Sequence, residues 1–171
     1  MIHLNIGSNL ESKFGSRFKN ISTAVNLLIK SKVQINKISN FYKTPSYPNK
    51  KLPYFLNIGL TASYKNDESQ LFKIIKLIEN KIGRNKSKKN DPRVCDIDII
   101  DFNSAIINKK NLQIPHDKSH LRNFVLYPIL QIDPDWVHPI FKKKVKLLIN
   151  KLDHKSRIEI TRLNKNVIIK S

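Results

Sequence analysis

Two aspartates one residue apart, Asp96 and Asp98, follow Arg93 in the stretch from Asn90 to Phe102. Side chains on a β-strand alternate between faces, so a strand here points both carboxylates one way and Cys95, Ile97 and Ile99 the other. Two acids that close repel each other unless something cationic sits between them. Oxygen-only ligation by carboxylates is what Mg²⁺ takes, usually completed by water and substrate phosphates. Arginine suits phosphate, because its planar fork donates two parallel hydrogen bonds and keeps its proton. Arg84, Arg93 and Arg122, with Glu79 and His116, lie near the ends of predicted elements, and together with the acids they describe a site for a metal-bound polyphosphate. Taken singly, each has a plainer reading: a solvated acidic strand face, a loop histidine, a solvated helix glutamate, ordinary surface arginines.

The elements that must position these residues are legible from periodicity. Residues 2–6 read as a strand ending in Gly7-Ser8-Asn9, a turn able to present backbone N–H groups and a hydroxyl to a ligand. Apolar residues at helical spacing predict a helix from Ser12 to Lys30. Val33 to Tyr42 is strand-like, and a proline-rich loop from Thr44 to Pro53 leads to a second strand, Tyr54 to Tyr64, antiparallel to it. Asp67 or Asn66 caps a helix carrying Leu71, Ile74, Ile75, Ile78 and Ile82, which Gly83 ends. A basic loop then enters the acidic strand. The order β-α-β-β-α-β predicts an α+β fold with a ferredoxin-like core, an antiparallel sheet with helices on one face. C-terminal additions follow: a turn at Asn103-Ser104, a return strand at Ala105–Ile107, a helix over Leu121–Ile132 interrupted by Pro128, a short helix at Val145–Leu152, and strand character from Ile158 to Ile169. No repeat or linker divides residues 1–171, which read as one domain.

The chain has 171 residues, 40% of them hydrophobic, enough for a sizeable core. No apolar run approaches membrane-spanning length, the first residues read as a strand and not a signal peptide, and the single Cys95 reads as core packing. The expected setting is cytoplasmic. Lys+Arg number 32 against 13 Asp+Glu, which points to a polyanionic partner, although the excess is scattered like ordinary solvated charge. The residues alone leave three classes open: metal-assisted phosphoryl or pyrophosphoryl transfer, a Mg²⁺-dependent nuclease, and a basic nucleic-acid-binding protein whose affinity falls steeply with salt.

A specific resemblance separates them. Ile6-Gly7-Ser8-Asn9-Leu10, Ser39 to Pro45, Phe55-Leu56-Asn57, Ile78-Glu79 with Gly83-Arg84, Pro92 to Ile99, Ile114-Pro115-His116 and Arg122 to Ile129 occur in the order of the 6-hydroxymethyl-7,8-dihydropterin pyrophosphokinase family of folate biosynthesis. The sequence resembles that family from about residue 2 to about residue 136. The resemblance implies transfer of the β,γ-pyrophosphoryl group of ATP to the pterin hydroxymethyl oxygen, releasing AMP. It implies two Mg²⁺ ions on Asp96 and Asp98, and ATP contacts from Glu79, Arg84, Arg93, Ile99, His116 and Arg122, with Arg84 and Arg93 also catalytic. Thr44, Pro45, Asn57 and Phe124 match the pterin pocket, with Tyr54 or Phe55 for the ring's other face, and residues 85–91 match a lid over ATP. The chain departs from the family pattern at Asn90-Asp91, where an aromatic and a glycine are common, and at Asn111, where a cation is common. The expected partners are the pterin and ATP, with no membrane and no specific nucleic acid, and the chain is expected to act as a monomer.

Overall fold

Strand β1 (Ile2–Ser8) is buried along its whole length, which requires cover on both faces. The computed structural model describes residues 1–46, 49–83 and 92–170, and supplies that cover from two helical layers. Ile2, Leu4 and Ile6 point into one core, while His3, Asn5 and Gly7 alternate to the other side. The first core is completed by α1 (Arg17–Lys30) and α2 (Glu68–Ile82), whose buried stripes are Ile21, Ala24, Val25 and Leu28, and Leu71, Ile75, Ile78 and Ile82. Asp67 caps α2 by accepting from the Gln70 N–H at 2.8 Å.

The sheet runs β5-β1-β4-β3-β8, with β2 also on β4, and every pairing is antiparallel. The strands are β2 (Gln34–Ile38), β3 (Tyr42–Thr44), β4 (Phe55–Ser63), β5 (Asp96–Phe102) and β8 (Thr161–Arg162). The first four positions reproduce the split βαβ order expected from the sequence. Two boundaries differ. Residues 12–16 form a turn closed by reciprocal Ser12 and Gly15 backbone bonds, so α1 begins at Arg17. The predicted Val33–Tyr42 strand is broken because Ser39 brackets Gly59, donating its N–H to the Gly59 carbonyl (2.9 Å) and accepting the Gly59 N–H on its hydroxyl (3.0 Å).

Helices cover both faces, not one. Behind the acidic strand, α3 (Asn123–Ile132) and α4 (Val145–Asn150) build a second core with Ile100, Val125, Leu126, Ile129 and Trp136. A bulge in β5 makes this possible: His3 pairs with Asp101 but Leu4 pairs with Ile99, leaving Ile100 as the extra residue and turning it into the second layer. The predicted return strand at Ala105–Ile107 does not fold back on β5. Positive φ at Asn103 and Ser104 turns the chain away, and β6 (Ile107–Lys109) pairs with β7 (Leu112–Ile114) as a separate ribbon. Of the strand expected at Ile158–Ile169, Thr161 and Arg162 pair with Lys43 and Tyr42 of β3, and Phe41 continues the contact by accepting the Leu163 N–H and donating to the Lys165 carbonyl. The last residues run along α1, where Asn26 and Ser22 bond Ile168 and Lys170. A short helix that the sequence had not shown, α5 (His154–Ile158), precedes it, capped by Asp153.

His138 stands in this second layer, 1% exposed. Its Nδ1 accepts the Ile140 and Phe141 N–H groups at 3.2 and 3.4 Å, so the neutral ring carries its proton on Nε2, 3.4 Å from the Ser119 hydroxyl. Burial, reinforced by nearby His120 and opposed by Asp101, lowers its pKa to about 4. The unfolded chain, with an ordinary imidazole near 6.5, binds the proton first, so this contribution to stability is complete above about pH 6.5 and drains away as pH falls to about 4. The melting-temperature gap between the wild-type chain and His138→Asn is therefore expected to narrow from pH 7 to pH 4; a gap independent of pH would refute this.

Candidate active site

The strand register assembles the site. Asn57 of β4 pairs with Gly7 of β1, and Gly7 pairs with Asp96 of β5, so one row crosses the sheet from an amide to a carboxylate. Two residues along, Gly59, Asn5 and Asp98 form a second row on the same face. Beyond Asn57 lies β3, where Tyr42 pairs with Asn57 and Thr44 with Phe55, and the Asn57 amide donates to the Thr44 hydroxyl at 3.3 Å. A Cβ at Gly7 would lie 2.8 Å from Asn57 Oδ1 and 3.8 Å from the Phe55 ring, so the glycine keeps the middle of the row flat.

Cationic side chains converge on the acids. Arg93 ion-pairs with Asp96, and Arg122 Nη1 lies 3.5 Å and His116 Nε2 3.9 Å from Asp98 Oδ2. Arg122 and His116 themselves approach to 3.4 Å. Burial, together with the charge on Asp96, holds the Asp98 carboxyl above the usual carboxylate range, with His116 and Arg122 pulling the other way. Among the described residues, no three His, Cys, Asp or Glu side chains gather as a metal cluster; the carboxylates come as a pair. Cys95 is buried on the opposite face, as expected for packing.

Glu79 is not a solvated helix residue. It is 1% exposed, accepts the Ile97 N–H at 2.9 Å between the two acids, and pairs with Lys76 at 2.8 Å. This locks α2 to β5 beside a groove of about 620 Å³ lined by Phe72, Lys76, Asp98, Ile99, Lys109 and His116, among others. Phe124 follows Arg122 at the start of α3, with its ring centroid 5.5 Å from that guanidinium carbon. Pro45 and Thr44 line a second cavity of about 250 Å³ at the β3 edge.

Tyr54 packs toward the first core, on the other side of the strand from Phe55, with Arg17 3.9 Å and Lys43 4.2 Å from its ring centroid, and it also lines the cavity that Thr44 and Pro45 border. One expectation comes out differently in place. The Gly7-Ser8-Asn9 turn does not offer its donors to a ligand. The Asn9 and Leu10 N–H groups donate to the Arg93 carbonyl, the Ser8 hydroxyl donates to the Leu10 carbonyl, and Asn9 Oδ1 accepts the Arg93 N–H at 2.6 Å. The turn holds Arg93. Arg84 and the lid segment 85–91 lie outside the described residues. Sequence reasoning missed Asn5, Phe72 and Lys76; the alternation of His3, Asn5 and Gly7 along β1 was the signal for Asn5.

Comparison with known proteins places the chain in a family. Residues 3–134 match the family model described as 7,8-dihydro-6-hydroxymethylpterin-pyrophosphokinase (HPPK). The 2-amino-4-hydroxy-6-hydroxymethyldihydropteridine pyrophosphokinase of Aquifex aeolicus is 34% identical over 85% of this chain and 88% of that protein. Its Bacillus subtilis counterpart is 30% identical over 76% of both. The folic acid synthesis protein FOL1 of Dictyostelium discoideum is 37% identical over 81% of this chain, which spans only 20% of that longer protein. The wild-type HPPK-DHPS crystal structure from Plasmodium falciparum shares the fold, with a TM-score of 0.69 at 16% identity, over 94% of this chain and 47% of that one. The chain belongs to the HPPK family, enzymes that transfer a pyrophosphoryl group from ATP to 6-hydroxymethyl-7,8-dihydropterin in folate biosynthesis.

Proposed function

We propose that this pyrophosphokinase is Mg²⁺-dependent and that Asp96 and Asp98 hold the metal, two ions in the complete complex. The observation that carries the reading is the row Asp96–Gly7–Asn57, which joins an acid pair at the mouth of a lysine-lined groove to a buried amide and hydroxyl. The donor set fits Mg²⁺: two partly buried carboxylates, no soft ligand on their face, and a groove beside them for water and phosphate oxygens to complete the shell. When bound, the metal neutralises charge on the triphosphate and on the transferring group.

The chain's own residues then have distinct tasks. The groove beside Ile99 takes ATP, with Glu79 fixing its floor through the Ile97 N–H. Arg93 sits where one guanidinium reaches both Asp96 and an incoming phosphate, and Arg122 with His116 does the same beside Asp98. Arg84 is assigned to ATP on the family pattern. Thr44 and Asn57 address the polar edge of the pterin, Pro45 borders it, and Phe55 and Phe124 stack on its rings. Tyr54 borders the same cavity as Thr44 and Pro45 from the other side of the strand. The same reading has the chain working as a monomer in the cytoplasm.

The test is a product assay with ATP and 6-hydroxymethyl-7,8-dihydropterin that separates AMP from ADP. AMP formed one-for-one with pterin diphosphate, only when both substrates and Mg²⁺ are present, is the expected result. AMP formation undiminished by EDTA would overturn the metal assignment, and ADP in place of AMP would overturn pyrophosphoryl transfer.

A further inference from the structure

A proline inside α3 leaves a carbonyl without its helical partner. Pro128 has no N–H, so the Phe124 carbonyl four residues earlier lacks the bond that would normally close that turn. That carbonyl is buried against β1, where an unmet acceptor is costly. Asn5 meets it. With its amide NH₂ turned toward the two carbonyls that face it, Asn5 donates to the Phe124 carbonyl at 2.9 Å and to the Ile58 carbonyl at 3.1 Å. Asn5 is 4% exposed and sits between Gly59 and Asp98 in the second row of the site.

We infer that Asn5 is a positioning residue for the pterin: it substitutes for the missing helical N–H and so fixes the residue whose ring stacks on the substrate. This rests on the pterin-pocket reading above. Three things are joined through one side chain: the acid-bearing sheet through the backbone of β1, strand β4 through Ile58, and the first turn of α3, which carries Phe124 and directly follows Arg122. The sheet and the aromatic are thereby held at one spacing, and a flat substrate needs that spacing to stay constant while it is bound. Asn5 does not touch the reacting atoms in this assignment, and its effect is transmitted through the Phe124 backbone.

The experiment is a rescue. Asn5→Ala removes the donor, and the KM for 6-hydroxymethyl-7,8-dihydropterin is expected to rise about tenfold, the worth of one buried hydrogen bond, while the KM for ATP moves less than twofold. Simple loss of folded protein would instead lower apparent kcat and leave both KM values in place. Adding Pro128→Ala to Asn5→Ala returns a helical N–H to the Phe124 carbonyl while keeping the β-carbon that rests on Gly59, and is expected to bring the pterin KM back to within about threefold of wild type. A pterin KM unchanged in Asn5→Ala, or a double variant no better than the single one, would overturn the inference while leaving the enzymatic reading intact. A wild-type chain that neither binds nor turns over the pterin would overturn both.

Discussion

Asp98→Asn is expected to lower turnover by about three orders of magnitude and, in the same protein, to raise the melting temperature. The two effects share one cause. Asp98 lies in a partly desolvated position beside Asp96, and its carboxyl is held above the usual range, so the charged form at neutral pH works against the fold. An amide of the same shape relieves that repulsion. It also removes one of the two proposed metal ligands and half of the negative charge proposed to draw Mg²⁺ to the mouth of the groove, an expected loss of about 4 kcal/mol in transition-state stabilisation. Pterin affinity, which the proposal assigns to Thr44 and Asn57 across Gly7, is expected to change much less. Calorimetry of the ligand-free variant and single-turnover kinetics with Mg-ATP measure the two halves separately. A variant that keeps full turnover refutes the metal role, and one that melts lower than wild type refutes the electrostatic account. Asp96→Ala is expected to lose activity comparably, since it also strips Arg93 of its ion-pair partner.

The largest expected effect on stability comes from a residue with no side chain. A Cβ placed on Gly59 would lie 2.8 Å from Pro128 Cβ and 3.3 Å from the Pro128 backbone carbon. Neither is the end of a flexible side chain, so α3 itself would have to lift from β4. Gly59→Ala is expected to cost about 3 kcal/mol, a fall in melting temperature of roughly 6–12 °C for a chain of this size. Because α3 carries Phe124, the residual folded enzyme is expected to show a raised KM for the pterin as well. Scanning calorimetry decides it: a melting temperature within a degree of wild type would mean the helix is seated elsewhere.

Most of the sheet was readable because its signals are local. The alternation through Cys95–Ile99, the Asp67 cap and the helical spacing of Leu71 to Ile82 each lie within one element, and each element formed where expected. What could not be read depends on partners distant in sequence. Nothing near Ser39 announces that its hydroxyl will take the Gly59 N–H and break the strand, and nothing near Ile100 announces a bulge set by pairing with β1. Glu79 looked solvated because its burial is created by Ile97, on an element that follows it by 18 residues. Tyr54 and Phe55 were interchangeable as aromatics; only the strand's phase, fixed by Phe55 opposite Thr44, separates them. The acid pair and its basic neighbours were recognisable by type, whereas their convergence on Asp98 required the fold.

Strand β1 is hydrogen-bonded on both edges and buried on both faces, while Arg93, His116 and Arg122 sit on segments between regular elements. Amide protons of Leu4 to Ile6 can therefore exchange with solvent only when the whole domain opens, whereas those near the three cationic residues exchange through small local openings. Half of the site thus keeps time with global unfolding and the other half with the movement of loops. Ligand binding is expected to slow exchange at Arg93 and Arg122 strongly and at β1 hardly at all, so that β1 serves as a fixed spine against which the residues proposed to grip phosphate close.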